Sequence, residues 1–124
     1  MTRKIPLALA LVAMTAGPLS AQGGSCPVAG SYSVVGRVPG AVGSYQGEAM
    51  ISAQGSGCYM RWYPPNDSEG SGSYANGVLT INFTFANGYS GVVRYTMAPN
   101  GELHGIWWMN GNASNQGTET LRRH

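Results

Sequence analysis

One stretch of the chain, residues 88–109, constrains the fold more than any other. Its sequence is GYSGVVRYTMAPNGELHGIWWM, in which two apolar-alternating runs flank Pro99-Asn100-Gly101-Glu102. Alternation with a period of two is typical of a β-strand with one buried face, and an Asn-Gly pair between two such runs is typical of a hairpin. The stretch therefore predicts an antiparallel β-hairpin, with Tyr95 and Trp107 contributing to the core.

Weaker versions of the same pattern follow one another from residue 30 onward, separated by Gly-rich, Asn-rich and Pro-rich turns. A 3.6-residue apolar stripe, which would indicate a helix, is not evident after the N-terminal segment. The pattern predicts an all-β domain of about eight strands: 30–38, 44–53, 58–63, 69–74, 78–85, 89–97, 102–109 and 117–122.

Short turns between consecutive strands favour an antiparallel up-and-down β-barrel formed by a single domain. An open meander would leave bare strand edges that promote aggregation, and closure removes them. Four glycines lie on the apolar phase of different strands, where an inward glycine relieves crowding in a tight barrel. They are Gly36, Gly47, Gly91 and Gly105. An open sheet or a two-layer sandwich is the alternative.

The N-terminal segment has the features of a secretory signal peptide over residues 1–21. A basic start, an apolar run over residues 5–16 and a small-residue end at Ala21 fit that signal, and the run is too short for a membrane helix. We expect cleavage near Ala21 and a periplasmic or secreted protein that is not embedded in a membrane; a retained N-terminal helix is the alternative. The remaining chain divides into an N-terminal extension, 22–29, and the barrel domain, 30–123.

Cleavage would change the charge of the protein. The full chain has a net charge of +2, and loss of Arg3 and Lys4 leaves five basic and five acidic residues. No lysine and no basic cluster beyond Arg122-Arg123 would remain, so we expect no nucleic-acid partner.

The two cysteines, Cys26 and Cys58, predict one disulfide in an exported chain. Such a bond would contribute about 2–4 kcal/mol to stability, mainly by restricting the unfolded chain. Lipid attachment at Cys26 is the alternative.

Catalytic and metal-binding patterns are not evident in the sequence. The two histidines, His104 and His124, lack a second ligand at metal-binding spacing, and no serine occupies a nucleophile elbow. We therefore predict a protein that is not an enzyme, with no metal and no cofactor.

Glu119 is the first candidate for a binding residue. It shares its phase with Gly117 and Leu121, so it would face the core if Leu121 does. A buried carboxylate needs hydrogen-bond donors or it takes up a proton. The hydroxyl groups of Tyr32 and Tyr45 are the expected donors. The carboxyl group would either close one end of the barrel as a structural plug or bind a ligand.

A group of outward-facing aromatic and arginine residues is the second candidate. Tyr, Trp and Arg are enriched at binding hot spots, although the same side chains can simply pack over neighbouring strands. The candidate partner-binding residues are Tyr59, Arg61, Tyr63, Arg94 and Trp108.

Five segments of the chain resemble a group of small secreted bacterial proteins often labelled "fibronectin-binding". They are Gly30-x-Tyr32-x-Val34, Tyr45-Gln46-Gly47, Gly57-Cys58 ahead of Trp62, residues 88–107 with Asn100-Gly101 and Leu103-His104-Gly105-Ile106-Trp107, and Gly117-Thr118-Glu119-Thr120-Leu121. The resemblance implies an exported, non-enzymatic β domain. The chain departs from the group at Val38-Pro39-Gly40-Ala41, where an Asn-Pro-Asp-Gly type of turn is expected. The predicted barrel is also similar in shape to avidin and lipocalins.

These observations give three hypotheses for function. The first is an exported binding protein with a protein, envelope or matrix partner. The second is a small-ligand carrier of calycin type, with its site in the barrel mouth near Tyr45, Trp62, Trp107 and Glu119. The third is a periplasmic inhibitor of a hydrolase such as lysozyme. Interior volume discriminates between them, because a barrel filled with side chains excludes the carrier. The sequence leaves the oligomeric state open.

Overall fold

The computed structural model describes residues 26–40 and 43–124. The predicted signal peptide, residues 1–21, lies outside these ranges, as do residues 22–25 of the predicted N-terminal extension. The described residues form eight strands: β1 Gly30–Arg37, β2 Ser44–Gln54, β3 Gly57–Trp62, β4 Ser68–Ala75, β5 Val78–Phe85, β6 Ser90–Met97, β7 Leu103–Met109 and β8 Gly117–Arg123. These bounds agree with the sequence prediction to within one residue.

The eight strands form a closed barrel in chain order. Every neighbouring pair is antiparallel, and β1 pairs with β8 from Tyr32↔Arg123 to Arg37↔Thr118 to complete the ring. The predicted up-and-down barrel is confirmed, and the open sheet and the sandwich are excluded. Closure leaves no strand of the barrel with an unpaired edge along its length.

Turn chemistry sets the strand pairing at several hairpins. Asn76 and Gly77, between β4 and β5, have φ angles of 54° and 79°, as a two-residue turn of type I′ requires. In the turn between β6 and β7, the side-chain oxygen of Asn100 accepts a hydrogen bond from the Glu102 amide at 3.0 Å. The local sequence therefore helps to fix the register of these hairpins.

One end of the barrel, which we call the plugged end, is filled by the segment that precedes β1. Cys26 and Val28 are almost fully buried there, and the Tyr32 hydroxyl donates a hydrogen bond to the Val28 carbonyl at 2.6 Å. A disulfide joins Cys26 to Cys58 on β3, as predicted. Packed around the segment are aliphatic side chains from five strands: Ile51, Met60, Leu79, Leu103 and Leu121.

The opposite end, which we call the mouth end, carries the connections that follow β1, β3, β5 and β7. Its inward side chains are mainly aromatic: Tyr45, Trp62, Phe83, Phe85 and Trp107. The barrel interior therefore has an aliphatic half at the plugged end and an aromatic half at the mouth end.

A candidate ligand-binding site at the barrel mouth

The candidate site is built on a row of five residues that lie side by side on five neighbouring strands. Glu119 on β8 is in register with Gly36 on β1 and with Gly105 on β7. Beyond these glycines, Gly36 pairs with Tyr45 on β2, and Gly105 pairs with Tyr95 on β6. Residues directly paired on neighbouring strands point to the same face of the sheet. All five therefore face the barrel interior, with Glu119 in the centre.

The two glycines of this row let the tyrosines reach the carboxyl group. A Cβ at Gly36 would collide with the phenol end of Tyr45, and a Cβ at Gly105 would lie 2.6 Å from Cδ1 of Tyr95. Each ring therefore lies across the strand that separates it from β8. The predicted inward glycines thus position side chains in addition to relieving crowding. Phe83 lies across Gly91 and the Asn66 amide lies over Gly47 in the same manner.

Glu119 is only 6% exposed and accepts three hydrogen bonds. The Tyr45 hydroxyl donates to Oε1 at 2.7 Å, and the Trp62 indole N–H donates to Oε2 at 2.9 Å from the far side of the barrel. The Tyr95 hydroxyl also donates to Oε2. The predicted role of Tyr32 as a donor to Glu119 is wrong, because Tyr32 lies at the plugged end and bonds to Val28.

Burial dominates the protonation chemistry of this cluster. It raises the pKa of Glu119 above the usual carboxyl value, and the hydrogen bonds from Tyr95, Trp62 and Tyr45 act in the opposite direction. Burial, followed by the nearby carboxylate, raises the pKa of both Tyr45 and Tyr95. Both phenols therefore stay protonated and remain donors, and Glu119 is the group of the cluster that titrates first.

A cavity of about 200 Å³ extends from Glu119 toward the mouth end. Apolar and aromatic side chains form most of its wall, and the aromatic rings contact one another edge to face, with Trp62 and Phe83 centroids 5.7 Å apart. The complete lining is Val38, Tyr45, Trp62, Asn66, Ser68, Phe83, Phe85, Val93, Trp107 and Glu119. The barrel is thus filled at one end and hollow at the other.

Two hydrogen-bond donors in the cavity wall have unused capacity. The Asn66 amide nitrogen is buried without a hydrogen-bond partner among the described residues. The Trp107 indole N–H is likewise buried without a hydrogen-bond partner among the described residues. Buried donors of this kind are costly unless something accepts from them. A bound molecule with an acceptor atom would satisfy them.

The structure divides the predicted surface residues into two groups on different sides of the barrel. Tyr59, Arg61 and Tyr63 belong to β3 and its end, whereas Arg94 and Trp108 lie on β6 and β7, with β4 and β5 between the groups. They therefore do not form one continuous patch.

Within each surface group, the charged side chains already have partners. Arg61 forms an ion pair with Asp67 at 2.6 Å, and the Tyr59 hydroxyl donates to Glu69 at 2.5 Å. The Arg94 guanidinium lies 5.5 Å from the ring centre of Trp108. Contacts across strands and within a turn therefore hold these side chains in their observed conformations.

Sequence reasoning placed Tyr45, Trp62, Trp107 and Glu119 near a possible mouth site, and the structure brings all four together. It assigned Tyr95 only to the core and did not single out Asn66. The turn around Asn100 contained the signal for Tyr95, because a hairpin centred on Asn100 pairs Tyr95 with Gly105. Asn66 lies in an irregular connection, where alternation gives no indication of side-chain direction.

Residues 26–40 and 43–124 contain no group of three or more His, Cys, Asp and Glu side chains that could hold a metal ion. These ranges also include no helix with the length and apolar character needed to cross a bilayer.

A comparison with protein-family models and with curated proteins finds no match. Among solved structures, the chain is similar to a redesigned β-barrel with a TM-score of 0.62 and 10% sequence identity. The match covers 78% of this chain and 91% of that one. At this identity the likeness supports the barrel fold alone.

Proposed function

We propose that this protein binds a small, mainly apolar molecule in the cavity at the mouth end of its barrel. The observation that supports the proposal most directly is the cavity itself, which combines an aromatic wall with one buried carboxyl group. Ligand sites typically have this composition, with an apolar lining and a few convergent polar groups that fix orientation.

The size of the cavity limits the ligand. Its volume of about 200 Å³ lies between a cavity of roughly 150 Å³ that holds benzene and the roughly 300 Å³ at which drug-sized sites begin. A molecule with one ring, or a compact aliphatic molecule of similar size, fits this range. Eight strands also suit such a ligand, because barrels of this size are either filled by side chains or hold one small molecule.

Binding accounts for the cavity better than catalysis does. Glu119 is the sole acid among the described lining residues, and these residues include no histidine or cysteine. The paired groups that general acid–base or nucleophilic catalysis usually requires are therefore not assembled around it. We accordingly propose a non-enzymatic role.

The site favours a carrier of calycin type over the partner-binding role. The aromatic and arginine residues expected to contact a partner occupy two separate sides of the barrel. Partner binding, hydrolase inhibition and membership of the "fibronectin-binding" group stay predictions from the sequence. Export to the periplasm or the medium is likewise a proposal; the disulfide supports it, because such bonds persist in oxidising compartments.

Native mass spectrometry of the purified protein, together with a library of one-ring molecules, tests the proposal. Binding should be detected by thermal stabilisation and by a change in the emission of Trp62 and Trp107. Ser68→Met fills the cavity from a buried position and should weaken binding by about tenfold or more. Ser73→Met, at an exposed position on the same strand, is the matched control.

Failure of both methods to detect a bound molecule would overturn the proposal. Equal effects of the two substitutions on affinity would also overturn the assignment of the site, because only Ser68 lines the cavity.

A further inference from the structure

The charge balance of the cavity indicates which chemical class of ligand it suits. Glu119 is the one lining residue, among those described, that can carry a formal charge near neutral pH. No described arginine lines the cavity: Arg37, Arg61 and Arg94 are on outward positions of their strands, Arg122 pairs with Glu102, and Arg123 donates to the Ala29 carbonyl at the plugged end. Ionised Glu119 would therefore have hydrogen-bond donors but no counter-ion.

The carboxyl group also has acceptor capacity left. A carboxylate accepts about four hydrogen bonds, and Glu119 receives three. Oε2 receives two of them, from Trp62 and Tyr95, whereas Oε1 receives only the one from Tyr45. A ligand with an N–H donor can therefore bond to Oε1 without displacing any existing partner.

The aromatic wall of the cavity also favours a positively charged ligand. Tyr45, Trp62, Phe83, Phe85 and Trp107 all line the cavity. The π-electrons of such rings attract cations, most strongly where the contact is shielded from water. An anion would meet both the rings and the carboxylate unfavourably, and a neutral ligand would leave the carboxylate without a counter-charge.

We propose that the ligand of the mouth cavity is a small organic ammonium ion that carries an apolar, ring-sized group and one uncharged acceptor atom for the Asn66 and Trp107 donors. The ammonium N–H bonds to Oε1 of Glu119, and the apolar group packs against the aromatic wall. This inference rests on the proposed small-ligand site and specifies its chemistry.

Binding of an ammonium ion should depend on pH through Glu119. Tyr45 from β2 and Tyr95 from β6 are the titratable groups that face it; Trp62 from β3 does not titrate, and β1 and β7 contribute glycines. The lining residues of β4 and β5 are Ser68, Phe83 and Phe85, which carry no charge. Because Glu119 must be ionised to form the pair, affinity should fall as the solution is acidified.

Three molecules of matched size, which share an ether oxygen as acceptor, test the inference: 2-phenoxyethylammonium, the neutral 2-phenoxyethanol and the anionic phenoxyacetate. Titration calorimetry at neutral pH should show about tenfold or greater preference for the ammonium ion over the alcohol, and the weakest binding for phenoxyacetate. Glu119→Gln should abolish the preference while retaining affinity for the alcohol. Circular dichroism establishes whether this variant folds. The pH dependence of the wild-type affinity provides a second test that requires no substitution.

The outcomes separate the two proposals. Equal or tighter binding of 2-phenoxyethanol, sensitive to Ser68→Met, would overturn the ammonium inference and leave the small-ligand site standing. A preference that survives in Glu119→Gln, or an affinity for the ammonium ion that does not fall with acidification, would also overturn it. Absence of binding by all three molecules rejects the inference, and the one-ring library with native mass spectrometry then decides the broader proposal.

Discussion

Glu119 is a buried carboxyl group whose three donors come from three different strands. The sequence indicated only that Glu119 and Leu121 point to the same side of their strand. The structure shows Gly117, Glu119 and Leu121 inward, so Thr118, Thr120 and Arg122 face outward. The structure places Glu119 in the wall of the cavity at the mouth end, whereas Cys26 and Val28 fill the plugged end. A structural plug and a ligand-binding group stay the two predictions for its role.

Replacement of Glu119 by Gln should change how stability depends on pH. Because burial raises the pKa of Glu119, the folded protein keeps a proton that the unfolded chain loses above about pH 4.3. Wild-type stability should therefore fall relative to Glu119→Gln as pH rises toward the folded-state pKa, by at most about 1.4 kcal/mol per pH unit, and level off above it. Urea unfolding of both proteins at a series of pH values measures the difference between their free energies of unfolding, in which the contributions of all other titrating groups cancel. If the two plots of stability against pH run parallel, the pKa of Glu119 is not raised.

Removal of the Tyr95 hydroxyl should destabilise the protein more than removal of the Tyr32 hydroxyl. Both tyrosines are almost fully buried, but Tyr95 donates to a carboxyl group and Tyr32 to a backbone carbonyl. Hydrogen bonds to a charged group contribute about 1.5–3 kcal/mol and neutral ones about 0.5–1.5 kcal/mol. We expect Tyr95→Phe to have the larger effect on the free energy of unfolding in urea near neutral pH. The opposite order would indicate that Glu119 is neutral in the empty cavity.

At the scale of the strands, glycines determine where the tyrosines can lie. In Gly105→Ala, the new Cβ would approach Cδ1 of Tyr95 to 2.6 Å, so the ring must move away from Glu119. Crowding of a packed interior costs about 1–3 kcal/mol, and the Tyr95 hydrogen bond should weaken as well. Gly43→Ala is the control, because no described atom lies within 4 Å of a Cβ there. Thermal unfolding compares the two variants. Equal stability would show that the glycine is not required for the tyrosine's position.

The glycines of β4 explain why a strand of weak propensity belongs to the barrel. At Gly70 and Gly72, a Cβ would collide with the main-chain carbonyl oxygens of Asn82 and Thr80 on β5. The two strands therefore approach each other at positions that only glycine can occupy. This contact accounts for the two glycines of β4.

The sequence was sufficient to predict the strands because alternation and turn residues are local signals. Side-chain direction along each strand follows from the same signals, which is why Glu119 and Tyr45 were expected inside. Local signals do not predict where a residue lies around the barrel, because that location depends on how many strands separate it from other residues. Arg61 and Arg94 share an outward phase yet belong to different sides of the barrel. Two partners of Glu119, Tyr45 and Trp62, likewise depend on closure between β1 and β8, which no local pattern specifies.

At the scale of the whole molecule, the two ends of the barrel divide stability from binding. The plugged end has an aliphatic core, the segment before β1 and the disulfide. The mouth end holds the cavity, the buried carboxyl group and the unpartnered Asn66 amide. Unsatisfied groups reduce stability, and such groups concentrate where function requires them. The stability contributed by the aliphatic half offsets the cost of the cavity in the aromatic half.

Removal of the disulfide should therefore reduce stability and leave ligand affinity largely unchanged. Cys26 and Cys58 are separated by 32 positions, and closing a loop of this length contributes about 2–4 kcal/mol by restricting the unfolded chain. We expect the Cys26→Ser, Cys58→Ser double variant to lose that amount in urea unfolding. At temperatures where the variant is fully folded, its affinity for the best-binding one-ring molecule should stay within about twofold of wild type.

The oxidised wild-type protein and the same protein treated with a reductant are the matched comparison, since neither carries a substitution. If affinity decreases in parallel with stability while the protein remains folded, the two ends are coupled, and the cavity depends on the plugged end for its shape. If affinity is retained, the mouth end is an independent binding site supported by a separate core.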